Sequence, residues 1–326
     1  MRERILQMHY TTKAMLMDAA RNLPRTIYNL VSTAQLNPYE FQASLIRNLV
    51  LSMPQSEQDK YARECLHLRN ISLDKINEIS LPYAVRPDAK KVLEDVHVKT
   101  GLENGLPYVL HAGSKKVFYP AGTGESALVG NYNGLVYAEG ITGVGALEES
   151  PHCYEDAEFF LENGECLLDV GSAEALFAVE KIDKVKMAFL FECERCWQKP
   201  LKCTFFPYRE KVRIISKMVS DNTSKLTTRI VDAIGKDISA DDRFFVKMDI
   251  EGGERSVIMG NEDFFRNNKV KLSCCVYHRQ DDAIVIKDML ERFGYTTRFS
   301  KGYMLIGMNG IHYPYFRHGV IYAKNY

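Results

Sequence analysis

The sequence predicts an α/β fold in which helices cover both faces of a mostly parallel sheet. Three observations carry that expectation. From about residue 163 onward, apolar runs of strand length alternate with helical stretches. Those runs are apolar throughout instead of alternating with polar residues, as strands buried on both faces require. Several end in small or acidic residues, such as Asp169-Val170-Gly171 and Met248-Asp249-Ile250-Glu251, so polar groups gather where strands finish.

The strand candidates of this part are Cys166 to Val170, Val185 to Phe191, Val212 to Val219, Phe244 to Ile250 and Val270 to Tyr277. After the fifth, Asp281 or Asp282 caps a helix. Ile286, Met289, Leu290 and Phe293 form its apolar stripe and Gly294 ends it. Tyr303 to Met308 and Val320 to Ala323 are two closing strand candidates.

The chain before this part reads differently. Asn37-Pro38-Tyr39-Glu40 has the cap, first-turn proline and following acid of a helix start. Ser56-Glu57-Gln58-Asp59 opens a second helix through Leu68, and Pro87-Asp88 a third that Gly101 stops. Residues 105 to 143 are rich in glycine, tyrosine and valine, with short strands expected at Tyr108 to Leu110, Lys116 to Phe118 and Leu135 to Tyr137. The expected organisation is a helical region over 1–100, a small β segment over 101–150 and an α/β domain over 151–326.

Bulk properties narrow the function classes. The chain has 326 residues, 46% of them hydrophobic, enough to bury a sizeable core. Lys plus Arg and Asp plus Glu number 42 each, so no global field recruits nucleic acid, and none is expected as a partner. No apolar run reaches the roughly 18 residues of a membrane span, and Met1-Arg2-Glu3-Arg4 lacks the apolar core of a secretory signal. The cysteines are scattered, as in a reduced protein, so a cytoplasmic setting is expected.

The turn Asp169-Val170-Gly171-Ser172-Ala173-Glu174 joins a buried strand to a helix. Ligands of open α/β sheets sit at such strand ends, and a glycine there lets the backbone approach one closely. The spaced glycines of a dinucleotide fingerprint are missing. Glu174 stands where a pyrophosphate would lie and would repel it. Asp169 and Glu174 instead suit a cationic, phosphate-free ligand such as S-adenosylmethionine (SAM). Glu192 ends the second strand about 20 positions on, where a carboxylate can accept both hydroxyls of a ribose. Cys193 follows it, and Ser220-Asp221 at the third strand's end is placed for an adenine amino group.

The densest cluster is Lys247-Met248-Asp249-Ile250-Glu251-Gly252-Gly253-Glu254. Strand alternation sets Lys247, Asp249 and Glu251 on one side, and Glu254 opens the next helix. His278 ends the fifth strand and is the first candidate general base, with Asp249 expected near the transferred methyl group and Glu251 and Glu254 orienting the substrate or supporting the site. Cys193, Cys196 and Cys203 lack a compact fourth ligand, so no metal is expected. Trp197 is read as packing, and His312 and His318 as part of an aromatic tail.

At these residues the chain resembles the FkbM-type SAM-dependent methyltransferases. The matching features are Leu168-Asp169-Val170-Gly171, Phe191-Glu192, Val219-Ser220-Asp221, Val276-Tyr277-His278 and above all Lys247 to Glu254, similar to the family's Lys-x-Asp-x-Glu-Gly-x-Glu. The likeness runs from about residue 150 to 308. It departs at Gly171-Ser172-Ala173-Glu174, where the family has Gly-Ala-Asn, and at Cys193, where proline commonly follows the acid.

The resemblance implies a class I Rossmann-like methyltransferase sheet with SAM across the strand ends. It also implies methyl transfer to a hydroxyl oxygen of a sugar, glycan or natural product. The expected cofactor contacts are Asp169, Gly171, Ser172, Glu174, Glu192, Cys193, Ser220, Asp221 and Asp249. The alternatives are a non-catalytic binding module of the same fold and an NAD(P)-dependent oxidoreductase. The acceptor and the oligomeric state are not read from the sequence.

Overall fold

A computed structural model describes residues 50–61, 97–141, 150–305 and 316–326. The first and third predicted helices, His312 and most of the aromatic tail lie outside the described residues. Helix α1 (Gln55–Tyr61) is the described part of the second.

Three strands, β1 (Thr100–Glu103), β2 (Leu106–His111) and β3 (Lys115–Phe118), form an antiparallel meander. Gly101 therefore lies inside a strand instead of stopping a helix. A Cβ at Gly101 would meet the Tyr108 ring at 2.4 Å, so the glycine serves cross-strand packing. Helix α2 (Glu125–Asn133) follows and runs into a π-helical turn over Gly134–Ala138. The expected strand at Leu135 to Tyr137 is thus helical. Its apolar residues pack from a helix, with Val136 fully buried, and a short apolar run does not separate the two states.

The main sheet has seven strands: β4 (Cys166–Val170), β5 (Ala188–Phe191), β6 (Val212–Ile215), β9 (Arg243–Met248), β10 (Lys269–Cys275), β11 (Thr296–Phe299) and β14 (Val320–Lys324). Their order is β11-β14-β10-β9-β4-β5-β6. The central pairings are parallel, and β14 is inserted antiparallel between β10 and β11. That sheet, reversing direction of strand order at β4 and closed by one antiparallel strand, is a class I Rossmann-like α/β fold. The predicted run Val212 to Val219 divides into β6 and a short β7 (Met218–Val219), which pairs with β8 (Thr227–Thr228) away from the main sheet. Of the Tyr303 to Met308 run, β12 (Met304–Leu305) is described, paired with β13 (Phe316–Arg317).

Alternation along the central strands feeds two cores, as a sheet with a period of two demands. Leu167, Leu190, Phe245 and Cys275 face Phe177, Trp197 and Tyr154 on one side. Leu168, Phe189, Val246 and Cys274 face Ile258, Phe264, Ile286 and Leu290 on the other. The first face carries α3 (Leu176–Lys181) and α4 (Arg195–Thr204), the second α5 (Ile230–Ile234), α6 (Glu254–Gly260), α7 (Glu262–Asn267) and α8 (Asp282–Arg292). Asp281 stands at the N-cap position of α8 without making a capping hydrogen bond, and Gly294 (φ +91°) follows its end.

Candidate active site

The carboxyl ends of β4, β9, β5 and β10 meet at one edge of the sheet. Gly171 makes the meeting possible. Its φ is +79°, and a Cβ on it would stand 2.0 Å from the Asp249 carbonyl oxygen. The two strand ends touch only because that atom is missing. The Asp249 amide donates to the Val170 carbonyl at 3.0 Å, and the Gly171 and Ser172 amides donate to Phe191. Ala173 and Ala175 also adopt left-handed backbone, φ +45° and +58°. Non-glycine residues take that conformation at a cost.

Asp169 is buried at 1% exposure and ion-paired to Lys247 at 3.1 Å. Lys247 also donates to the Gly171 carbonyl at 2.7 Å, tying β9 to the turn after β4. Burial lowers and its carboxylate neighbours raise the Lys247 ammonium, with a net rise from Asp169 and Asp249. Burial likewise pushes Asp169 up, with Lys247 opposing. Ser172 Oγ is buried without a hydrogen-bond partner, and neither Asp169 oxygen makes one of good geometry. A bound water, ion or ligand is what usually satisfies buried polar atoms of this kind. Burial pushes the Glu174 carboxyl up to about 7, so at neutral pH a nearby cation would draw it into its charged form.

Glu192 is buried. One carboxylate oxygen accepts the Ala173 amide at 2.8 Å and the other the Glu194 amide at 2.7 Å. The same carboxylate thus braces the turn after β4. A carboxylate has about four lone-pair sites, so half remain for a ribose diol. Cys193 is exposed beside it. Ser220 and Asp221 follow β7, outside the main sheet. Asp221 is exposed, accepts from Ser220 and Asn222, and packs against Gly260 of α6. The sequence run that suggested one long third strand bends after Ile215, which carries these residues onto the separate β7–β8 pair.

Asp249 stands between two imidazoles. His278 Nε2 lies 3.4 Å from its Oδ1. His152 Nε2 lies 3.5 Å from its Oδ2, which also accepts the Tyr154 hydroxyl at 2.8 Å. Burial opposes ionisation of Asp249, but His152, Lys247 and His278 hold the carboxyl well below its ordinary range. His278 is buried. Its Nδ1 faces Glu254 Oε1 at 3.0 Å. Burial opposes its charge, while Glu254, Asp249 and Glu251 raise its pKa above the ordinary histidine value. Glu254 is fully buried and turns back to accept the Ile250 amide at 2.9 Å. Glu251, in left-handed backbone, points outward with 76% of its side chain exposed, 3.7 Å from His278 Nε2. The turn at Gly252 and Gly253 interrupts strand alternation, so Glu251 leaves the row that Lys247 and Asp249 share.

His152, Tyr154 and Glu139 are the site residues that sequence reasoning missed. They precede the sheet, where periodicity does not point to a site. The available signal was the close spacing of three hydrogen-bonding side chains in Pro151-His152-Cys153-Tyr154-Glu155. Two trios, His152/Asp249/Cys275 and Asp249/Glu254/His278, bring donor atoms within 4.8 Å of one another, a spacing that can hold a cation. The sequence offered no metal site here, having weighed Cys193, Cys196 and Cys203. In the structure these trios are cross-linked by the contacts above, and burial pushes the Cys275 thiol up, keeping it protonated. Trp197 is buried edge-on to Tyr119, a packing role. The described cysteines are free.

No family model matches the chain, and no curated protein matches it. Solved structures do. Methyltransferase FkbM from Methylobacillus flagellatus is 21% identical with a TM-score of 0.40, over 51% of this chain and 44% of that one. A precorrin-6y methyltransferase from Geobacter metallireducens is 14% identical with a TM-score of 0.33, over 56% and 86%. A tRNA methyltransferase candidate from Streptococcus pneumoniae, solved with S-adenosyl-L-methionine, is 17% identical with a TM-score of 0.34, over 51% and 68%. The match spans less than half the length of the FkbM structure. Among the described residues, no helix is long and apolar enough to cross a membrane.

Proposed function

We propose that this chain is a SAM-dependent methyltransferase that acts on a hydroxyl oxygen of a sugar, glycan or natural product. The observation that carries the reading is the close approach of strand ends at Gly171, where Asp169, Glu192 and Asp249 stand at the ends of the adjacent strands β4, β5 and β9. The donor set there is anionic, has orphaned buried oxygens, and lacks the glycine-lined cradle a pyrophosphate needs. SAM fits that chemistry, being cationic at sulfur and at its ammonium and carrying no phosphate; when bound it supplies an activated methyl group.

The residues divide the remaining work. Asp169 and Ser172 face the cofactor's amino-acid end, Glu192 its ribose, and Glu174 lies near its positive charge. Cys193 borders this side, and Ser220 and Asp221 would serve the adenine only if the β7–β8 pair closes toward the crevice. At the acceptor end, His278 takes the hydroxyl proton. Glu254 Oε1 faces Nδ1 at 3.0 Å and Asp249 lies beside Nε2. Once His278 is neutral, its Nε2 lone pair and Asp249 Oδ1 face each other at 3.4 Å. A hydroxyl that donates to Nε2 relieves that opposition, and the imidazolium then formed is stabilised by both carboxylates. Glu251 at the rim orients the acceptor.

In this proposal residues 151–326 form the methyltransferase unit and the protein acts in the cytoplasm without nucleic acid. Calorimetry with SAM, its demethylated product S-adenosylhomocysteine (SAH), and NAD tests the cofactor. Binding of SAM and SAH is expected; tighter binding of NAD, or no nucleoside binding, rejects the reading. Labelled SAM offered with glycan and lipid extracts then reports the acceptor.

A further inference from the structure

We propose that His152, braced by Glu139, is a positioning residue that holds Asp249 in the orientation the methyl-transfer site needs. The inference rests on the methyltransferase reading and deepens it.

Five side chains form one line: Glu139, His152, Asp249, His278 and Glu254. Each imidazole turns Nδ1 to a glutamate, at 2.8 Å for His152 and 3.0 Å for His278. Each turns Nε2 to Asp249. The two halves differ in what surrounds them. Around His152 Nε2 stand the Tyr154 hydroxyl at 3.2 Å, the Tyr277 hydroxyl at 3.3 Å and the Cys275 thiol at 3.5 Å. That half is closed and dense. The His278 half borders exposed Glu251 and the crevice. Asp249 Oδ2 is therefore committed inward, to Tyr154 and His152, while Oδ1 takes a longer contact from the Tyr277 hydroxyl at 3.4 Å and faces His278 on the reacting side.

A carboxylate turns easily about its last torsion. Fixing one oxygen fixes the other, which is how an outer layer of hydrogen bonds sets a reacting group. The segment carrying His152 is itself clamped. Ser150 Oγ donates to the Glu139 carbonyl. Ser300 Oγ donates to Pro151 at 2.7 Å, and the Tyr322 hydroxyl donates to Cys153 at 2.7 Å. At Gly319 a Cβ would stand 1.9 Å from the Pro151 carbonyl oxygen. A chain from outside the sheet is thus held against the sheet at the one place where it reaches Asp249.

The test uses the affinity ratio of SAM to SAH, measured by calorimetry on the full chain. The two ligands differ at the sulfur: one is cationic, the other neutral, so the ratio reads where the Asp249 charge points. Asp249→Asn should lower the preference for SAM about tenfold. His152→Ala should lower it in the same direction by about threefold or more, with SAH affinity changed less than about twofold. His152→Gln, which keeps a donor, should restore most of the preference. In the Asp249→Asn background, His152→Ala should add nothing. If His152→Ala does not fold, Glu139→Gln reads the same effect. An unchanged ratio in the His152 and Glu139 variants, or equal losses of SAM and SAH, overturns the proposal. So does Zn2+ binding that both His152→Ala and Cys275→Ser abolish, which would assign the inner half to a metal. Failure of the unsubstituted protein to bind either nucleoside removes the methyltransferase reading itself, and the positioning role with it.

Discussion

Gly171 and His278 carry the sharpest consequences at the scale of single residues. Gly171 combines left-handed backbone with a contact that admits no side chain. Gly171→Ala must either push β4 and β9 apart or twist the turn. Either should cost about 2 kcal/mol or more and displace the Ser172 and Ala173 amides. Calorimetry should show at least a tenfold loss of SAH affinity, and a variant that binds normally would refute the placement of the crevice. His278 has a pKa raised above the ordinary histidine value by Glu254 and Asp249 despite burial. As a base it works only when neutral, so the transfer rate should climb as pH rises through that raised value. Stability runs the other way. The charged ring's contribution is complete below the unfolded value of about 6.5 and is lost as pH rises through the folded one. His278→Gln should flatten both profiles. A rate that keeps its pH dependence in that variant assigns the base elsewhere.

At the scale of elements, the turn after β9 and the loop after β10 must stay in register for Asp249 to face His278. Arg255, on α6, joins them. Its Nε meets Asp282 at 2.5 Å and its terminal nitrogen Asp281 at 2.5 Å. Asp282 is fully buried and also accepts the Arg279 amide at 2.7 Å. Arg255→Met strands that carboxylate. The expected loss is about 2–3 kcal/mol in denaturant unfolding, below the cost of a wholly buried pair because Asp281 is exposed. A double change that also converts Asp282 to Asn should recover part of it. The helix bounded by Asp281 and Gly294, and the strands β4, β9 and β10, were legible because apolar runs and caps act locally. The placement of Asp169, Gly171, Glu192 and Asp249 at neighbouring strand ends was legible because the ends of buried parallel strands lie on one edge of such a sheet. Leu135 to Tyr137 was misread because a short apolar run serves strand and helix alike. The division of the Val212 to Val219 run into β6 and β7 was not legible, because the contact of Asp221 with Gly260 of α6 is set by residues far apart in the chain.

At the scale of the molecule, the site is assembled from five stretches of chain: Glu139 with His152 and Tyr154, the β4 turn, the β5 end with Glu192, the β9 end with Glu254, and the β10 end. His152 lay beyond sequence reasoning because its partner Asp249 is 97 positions away, counting from 152 to 249, and only the fold brings them together. Such an assembly makes a specific demand on dynamics. A ligand that touches the Gly171 crevice should restrain every stretch tied to it by hydrogen bonds, including the one that contacts no ligand. Hydrogen exchange followed by mass spectrometry on the SAH-bound protein should therefore slow over residues 166–175 and 247–254, and also over 150–154, whose link runs through Tyr154 to Asp249. The β7–β8 pair, joined to the rest through Asn261 and Gly260, should change little unless Ser220 and Asp221 do reach the adenine. Protection at 166–175 without protection at 150–154 would mean that Asp249 responds to the ligand independently of His152. The site would then end at the sheet edge, and the segment from Glu139 to Tyr154 would be packing alone.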